Sequence, residues 1–275
     1  MTSMSDLEKI ETNRQGFNLR AQAHRQSSYY DLEMLRNGHN MLRTLEQEEL
    51  RDVRGRSVLE LQCHLGANTI SLARMGAEAT GMDISDEAIG IARDLAEELG
   101  VDARFVRSDV YDLPLVLDGT FDMVFTGYGT LSFLPDIPRW AEVAAHFVKP
   151  GGTLTIVEIH PIVNLFDVVD GELRVARSLF HSRQLHHVMR SSYADRLADE
   201  VPVPEHTLHG WRWTIGEVVN ALIEAGLVIE RLREVPIDAR QRLSVMESDG
   251  EHSWRIPGDP LPLSFACVAR KPAAQ

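Results

Sequence analysis

From Ser57 onward, short apolar and β-branched runs alternate with stretches of helical periodicity, and this alternation limits the possible folds more than any other property of the chain. Ser57–Gln62 (SVLELQ) reads as a buried strand, NTISLARMG as a short helix ending at Gly76, and Glu78–Asp83 (EATGMD) as a second strand. Ser85 then offers a cap, and Asp86 and Glu87 stand in a first turn where the helix dipole favours anions. Ala88, Ala92, Leu95 and Leu99 recur at helical spacing until Gly100 stops the pattern. Ala103–Asp109, Phe121–Gly127 and Thr153–His160 are three further strand-like runs, and the helical pattern IPRWAEVAAHFV is broken by Lys149-Pro150-Gly151-Gly152. Strand–helix alternation of this kind demands right-handed crossovers and a parallel sheet covered on both faces, so the class is doubly wound α/β.

Near the end, Thr214 with Glu217 forms a capping box, and Ile215, Val218, Val219, Leu222 and Ile223 make one apolar stripe before Gly226. A strand at Leu227–Val235 follows. The last apolar run, Leu263–Lys271, comes after a 237–260 segment without helical pattern, which predicts an antiparallel return beside its predecessor as an edge hairpin. Two stretches stand outside the alternation. Residues 1–50 are polar and helical with a Tyr29-Tyr30 pair, and residues 161–213 intervene between a strand and the capped helix.

The 275 residues suit one large domain or one domain with an insertion, at roughly 100–200 residues per domain. A net charge of −13 disfavours nucleic acid or an anionic membrane as the main partner unless a local basic patch compensates. Such a stretch exists: Arg174, Arg177, Arg183 and Arg190, with His181, His186 and His187, occupy 174–194 without an acid. Four arginines are too few for a duplex partner, but they could draw an anionic substrate. The histidines lack a carboxylate or thiolate at ligand spacing, so no metal is expected. Cys63 and Cys267 do not suggest a disulfide framework, and no apolar segment resembles a signal peptide or a membrane span. A soluble cytoplasmic protein is expected.

In doubly wound sheets ligands lie beyond the carboxyl ends of the strands, where strand order reverses. The first strand runs into Glu60-Leu61-Gln62-Cys63-His64-Leu65-Gly66, the second ends in Asp83 and the third in Asp109. Carboxylates there are costly unless paired, and a ligand with a ribose diol and a cationic or amino group would pair with them. With Phe121-Asp122 opening the fourth strand and Lys-Pro-Gly-Gly before the fifth, the chain resembles the class I S-adenosylmethionine-dependent methyltransferases over 57–160, and in order of elements to about 270. The resemblance implies a Rossmann-like seven-stranded sheet with an antiparallel last strand. It also implies that Asp83 takes the ribose hydroxyls, that Asp109 with Val110 reads the adenine amine, and that Glu60 supports the loop near the methionyl ammonium. Tyr29, Ile84, Gly66 and Thr126 complete the expected cofactor set. Gln62 and His64 stand where that family has its first two glycines, so each must turn outward or contact the cofactor's carboxylate end.

Transfer from a sulfonium is an in-line displacement in which a base is optional. The candidates for base or pocket duty are His160, Tyr128 and Glu158, near the ends of the fourth and fifth strands. Tyr30, His209, Trp211 and Arg177 are candidate acceptor contacts. Trp211 and Trp213 are also read as core at a helix entry. The expectation is methyl transfer to an oxygen or nitrogen of a small-molecule acceptor, a bacterial metabolite. Residues 1–50 would be a helical lid that could also contribute to a homodimer, and 51–275 the transferase domain with a substrate-covering insertion near 161–213. Two alternatives are a module that binds S-adenosylmethionine without transferring its methyl group and a nicotinamide-dependent oxidoreductase. The latter would need a G-x-G-x-x-G turn that the sequence lacks.

Overall fold

The computed structural model describes residues 4–180, 184–189, 203–250 and 253–273. Three helices come first: α1 (Asp6–Gln26), α2 (Leu32–Arg36) and α3 (Thr44–Glu49). The alternation follows as β1 (Ser57–Leu61), α4 (Ala67–Arg74), β2 (Glu78–Asp83), α5 (Asp86–Glu98), β3 (Ala103–Arg107), β4 (Phe121–Thr126), α6 (Ile137–Phe147) and β5 (Val148–Ile159). Short strands β6 (Phe166–Val169), β7 (Glu172–Val175), β8 (Gln184–Met189) and β9 (His206–Trp211) precede α7 (Ile215–Glu224). The chain ends with β10 (Val228–Val235), β11 (Glu247–Ser248), β12 (Trp254–Arg255) and β13 (Ser264–Arg270).

Seven strands form one sheet in the order β10-β13-β5-β4-β1-β2-β3, with β13 antiparallel to both of its neighbours. This is the expected Rossmann-like α/β sheet, with its last two strands paired as the expected antiparallel hairpin at one edge. The last strand is interior, and β10 forms the edge. The burial pattern gives the reason: Ser264–Cys267 and Ala269 of β13 are buried and need cover, whereas β10 is half-buried to exposed and carries Glu230, Arg231, Arg233 and Glu234, as suits an edge. β5 also starts earlier than its apolar run. The amide of Gly151 donates to the Lys271 carbonyl and that of Lys271 to Gly152, so the glycine turn is drawn into the ladder.

By backbone contacts the chain forms two compact units. The first comprises Met1–Leu42, Val53–Phe121 and Gln184–Gly210, the second Arg43–Asp52, Asp122–Arg183 and Trp211–Gln275. In the first, Ile89, Ala92, Leu95 and Ala96 of α5 pack with Ile70, Phe105, Leu32 and Leu35. The α5 start follows its local signals, for the Ser85 hydroxyl accepts from the Ala88 amide. The second unit has a satellite core of Val163, Leu243, Met246, Ile256 and Leu263 beneath the β6–β7 hairpin and the β11–β12 pair. The Thr214–Glu217 capping box opens α7 as its sequence predicts. The stretch 161–213 is shared between the units, with β6–β7 in the second and β8 and β9 up to Gly210 in the first. Of the basic stretch, His181, Arg183 and Arg190 lie outside the described residues.

Candidate cofactor site and acceptor-side residues

The loop leaving β1 puts three residues in the left-handed region: Gln62 at φ 55°, His64 at φ 52° and Gly66 at φ 75°. Side-chain-bearing residues pay about 1–2 kcal/mol each for that conformation, so the loop is shaped as a glycine loop would be without its first two glycines. The third position admits no substitute. A Cβ on Gly66 would lie 2.6 Å from the Phe105 ring and 2.7 Å from the Ala92 Cβ.

Asp83 fastens this loop to the start of α5. It is 8 % exposed, and its oxygens accept from the His64 amide at 2.9 Å and from the Ser85 amide at 2.9 Å. Burial raises its proton affinity and the amides oppose that rise. With the Ile84 amide as a third donor, the carboxylate still has acceptor capacity for a further one. Glu60 is buried at the end of β1, where it accepts from the Thr69 hydroxyl, and burial followed by the charges of Glu60 and Asp83 pushes the Cys63 thiol far up. β3 stops two residues short of Asp109, which instead caps a short 3-10 turn by accepting from the Tyr111 amide at 3.1 Å. Val110 is buried in that turn, and Ile84 is half-buried between Asp83 and Ser85.

The first unit adds residues that composition did not suggest. The buried face of α1 carries polar side chains among small residues: Asn13, Arg20 and His24 lie with Gly16, Ala21 and Ala23 at helical spacing. Asn13 exchanges two hydrogen bonds with the His209 backbone, at 2.8 and 2.7 Å, and Gly16 faces Leu208 where a Cβ would come within 2.7 Å. Arg20 Nε donates to His206 Nε2 at 2.9 Å. His24 Nδ1 meets His64 Nε2, Tyr30 stacks on His64 with ring centres 4.7 Å apart, and Tyr29 meets Tyr30 edge-on. The structure therefore gathers Tyr29, Tyr30, Gln62, His64, Gly66 and Asp83 in one neighbourhood of this unit. The signal missed in the sequence is the i, i+3, i+4 recurrence of polar residues in α1.

In the second unit the candidate bases are already engaged. Glu158 accepts from the amides of Gly129 (2.8 Å), Thr130 (2.8 Å), Leu131 (3.0 Å) and Ile159 (2.5 Å), so its carboxylate organises the loop after β4. His160 accepts at Nδ1 from the Ile162 amide at 3.1 Å and meets Glu234 through Nε2 at 2.7 Å. Its Nδ1 is thus the unprotonated nitrogen and Nε2 carries the proton. His160 is also the cap of the turn that follows β5. Tyr128 bonds Ser264 through its hydroxyl, and burial, then the charge of Glu46, pushes that phenol above its ordinary range. Glu46, overlooked in the sequence, is 2 % exposed and lies against Gly127, where a Cβ would come 2.8 Å from its Oε1. The Thr126 hydroxyl, at the end of β4, is 3.0 Å from that of Thr130.

Arg177, expected to meet the acceptor, spends its guanidinium on Asp167 and on the carbonyls of Phe166 and Asn164. Trp211 is 6 % exposed, and the Trp213 indole donates to the Leu134 carbonyl at 2.9 Å. Among the described residues, no group of three or more His, Cys, Asp or Glu is placed to hold a metal ion, and no helix is long and apolar enough to cross a membrane.

Residues 58–152 match the family model described as a methyltransferase domain. The ubiquinone biosynthesis O-methyltransferase of Cronobacter sakazakii is 36 % identical over 98 residues, which are 36 % of this chain and 40 % of that protein. Its namesake in Alkalilimnicola ehrlichii is 29 % identical over 163 residues, 58 % of this chain and 66 % of that protein. The chain thus spans about two fifths to two thirds of the length of these curated relatives. Among solved structures, the CcbJ methyltransferase of Streptomyces caelestis superposes with a TM-score of 0.60 at 18 % identity, covering 96 % of this chain and 99 % of that one. An S-adenosylmethionine-dependent methyltransferase of Mesorhizobium loti gives 0.57 at 21 % identity, covering 82 % and 97 %. Residues 58–152 thus carry a methyltransferase domain, and the sheet order and the solved-structure likenesses show that the chain has the fold of S-adenosylmethionine-dependent methyltransferases.

Proposed function

We propose that the protein transfers the methyl group of S-adenosylmethionine to an oxygen of a small-molecule acceptor, with nitrogen as the second choice. The observation that carries this reading is Asp83, a buried carboxylate tied to a left-handed loop and still able to accept from a diol. The buried Nδ1 of His64, without a hydrogen-bond partner among the described residues, is a second polar atom in the same neighbourhood. Asp83 would hold the ribose hydroxyls, Asp109 and the Val110 amide the adenine edge, and Glu60 the loop beside the methionyl ammonium. Ile84 would border the nucleoside. Residues 1–50 would act as a lid, with Tyr30 and Tyr29 covering His64. The names of the curated relatives, O-methyltransferases, favour oxygen.

When bound, the cofactor supplies a sulfonium-activated methyl group, so displacement requires alignment more than a strong base. The chain's residues fit that division of labour. Glu158 and His160 would fix the segments beyond β4 and β5, and Tyr128, its proton firmly held and its hydroxyl bonded to Ser264, would line the acceptor pocket and not abstract a proton.

Calorimetry with S-adenosylhomocysteine tests the reading. Binding to the wild type is expected, and Asp83→Ala should weaken it by about 1–3 kcal/mol, the range for a hydrogen-bonded charged group. Unchanged affinity removes Asp83 from the site. Binding without S-adenosylhomocysteine formation across a panel of phenols, catechols and amines would favour a non-transferring module. Thermal stabilisation by NAD and not by S-adenosylmethionine would favour the oxidoreductase.

A further inference from the structure

Asp83 is not held by its own loop alone. Two of the amides from which it accepts, those of His64 and Ser85, belong to residues whose side chains are in turn bonded to α1. On one side His64 Nε2 meets His24 Nδ1 at 2.9 Å. On the other the Ser85 hydroxyl accepts from the Ala88 amide and gives its only proton to Asn18 Oδ1 at 2.7 Å. Asn18 Oδ1 also accepts from the Glu87 amide at 3.4 Å, and its Nδ2 donates to Asp86 at 3.3 Å. All of these residues lie in the first unit.

Asn18 and His24 stand six residues apart in α1, a rise of about 9 Å at 1.5 Å per residue. One helix thereby reaches both flanks of the same carboxylate. These two links differ from the other contacts of α1 with α5. The Gln22 amide meets Glu87 and the Arg14 guanidinium meets Asp86, both exposed, and neither carboxylate bonds a donor of Asp83. Ser85, by contrast, is 1 % exposed and its hydroxyl has both its proton and an acceptor site engaged, so its orientation is fixed. Amide donors held in place hold the carboxylate, and a held carboxylate offers its remaining lone pairs in set directions.

Resting on the reading of Asp83 as the carboxylate that takes a ribose, we infer that Asn18 and His24 are its positioning residues: α1 aims Asp83 at the vicinal diol of the ligand. Docking of α1 and recognition of the diol are then linked. Linkage is reciprocal, so a ligand that carries the diol holds α1 in place by as much as α1 favours that ligand. A ligand without the diol gains nothing from α1 through Asp83.

The test uses the full chain and two ligands, S-adenosylhomocysteine and its 2′,3′-dideoxy counterpart, which differ only in the diol. Calorimetry gives the ratio of their affinities, and hydrogen exchange in the ligand-free protein reads the His64 and Ser85 amides. The wild type should prefer the diol by at least about tenfold, as hydrogen bonds to a charged group imply, and Asp83→Ala should abolish the preference. Asn18→Ala and His24→Leu should each lower the ratio by about two- to tenfold, the span for one neutral hydrogen bond, through weaker binding of the diol ligand alone. Exchange should quicken at Ser85 in the first variant and at His64 in the second. His24→Asn, whose side-chain amide can take the place of Nδ1, should restore the ratio. Gln22→Ala cuts an exposed link from the same helix and should change neither ratio nor exchange. The two positions are separate, so either decides if the variant at the other does not fold.

A wild-type ratio in both Asn18→Ala and His24→Leu overturns the inference and leaves Asp83 in the site. A parallel loss of both ligands overturns it as well, since that is the mark of a helix that only holds the unit together. Failure of the wild type to discriminate, or discrimination that survives Asp83→Ala, is a separate outcome: it strikes the ribose reading itself, and the positioning of Asp83 for a diol falls with it.

Discussion

His24 Nδ1 lies 2.9 Å from Nε2 of His64, so a single hydrogen bond between two imidazoles links the carboxyl end of α1 to the left-handed loop after β1. Burial, then the charge of Arg20, lowers the His64 pKa from the ordinary 6.5 to about 4. In the unfolded chain that ring takes up a proton near 6.5, whereas the folded chain resists until about 4. Between those values the unfolded state binds more protons. The contribution of His64 to stability is therefore complete above about pH 6.5 and is lost as pH falls towards 4, by up to about 3 kcal/mol. Urea unfolding across this range should show stability falling with pH in the wild type and a shallower slope in His64→Gln. Identical slopes would detach His64 from the acid response.

The loop itself separates two kinds of glycine position. Gly66→Ala adds left-handed strain of about 1–2 kcal/mol to an overlap with Phe105 and Ala92 worth about 1–3 kcal/mol. A loss of roughly 2–5 kcal/mol is expected from these two costs together. Gln62→Gly removes strain of similar kind at φ 55° but frees the unfolded chain, and the two effects should cancel to within about 0.5–1 kcal/mol. Denaturant midpoints of both variants check this contrast. A severe loss in Gln62→Gly would show that the glutamine side chain holds the loop.

What the sequence revealed and what it concealed divide along the range of the interactions concerned. The Ser85 cap, the first-turn acids of α5 and the Thr214–Glu217 box act within four residues, and each is found where its pattern puts it. The strand-end acids Glu60 and Asp83 were visible for a related reason, since a carboxylate beside a buried apolar run is unusual in any local window. The interior place of β13 depends on pairing with strands far along the chain, and periodicity carries no information about that. His160 shows the limit most clearly, because its expected freedom is removed by Glu234, 74 residues away. Likewise, Arg177 looked available until the fold brought Asp167 against it. Gln62 and His64 could not be assigned positive φ from residue type, because such residues adopt it only where surrounding structure compels them.

Glu158 and His160 provide the sharpest contrast between a chemical and a positioning role. Removal of a general base typically slows a reaction by about 10²–10⁴-fold with the fold intact. The geometry predicts otherwise. His160→Gln forfeits a cap and a bond to Glu234, so stability should fall by about 1 kcal/mol while turnover with an acceptor from the phenol and catechol panel stays within about tenfold. Glu158→Gln retains one acceptor oxygen and turns an amide –NH2 towards backbone N–H groups that the carboxylate had satisfied. Its expected cost is larger, about 2–3 kcal/mol, because buried donors are left unpaired. Turnover should fall in step with the disordering of residues 129–131, which amide hydrogen exchange at Gly129, Thr130 and Leu131 would report. A Glu158→Gln enzyme of wild-type stability and unchanged exchange, yet slowed a hundredfold or more, as removal of a base would do, would restore Glu158 to the chemistry.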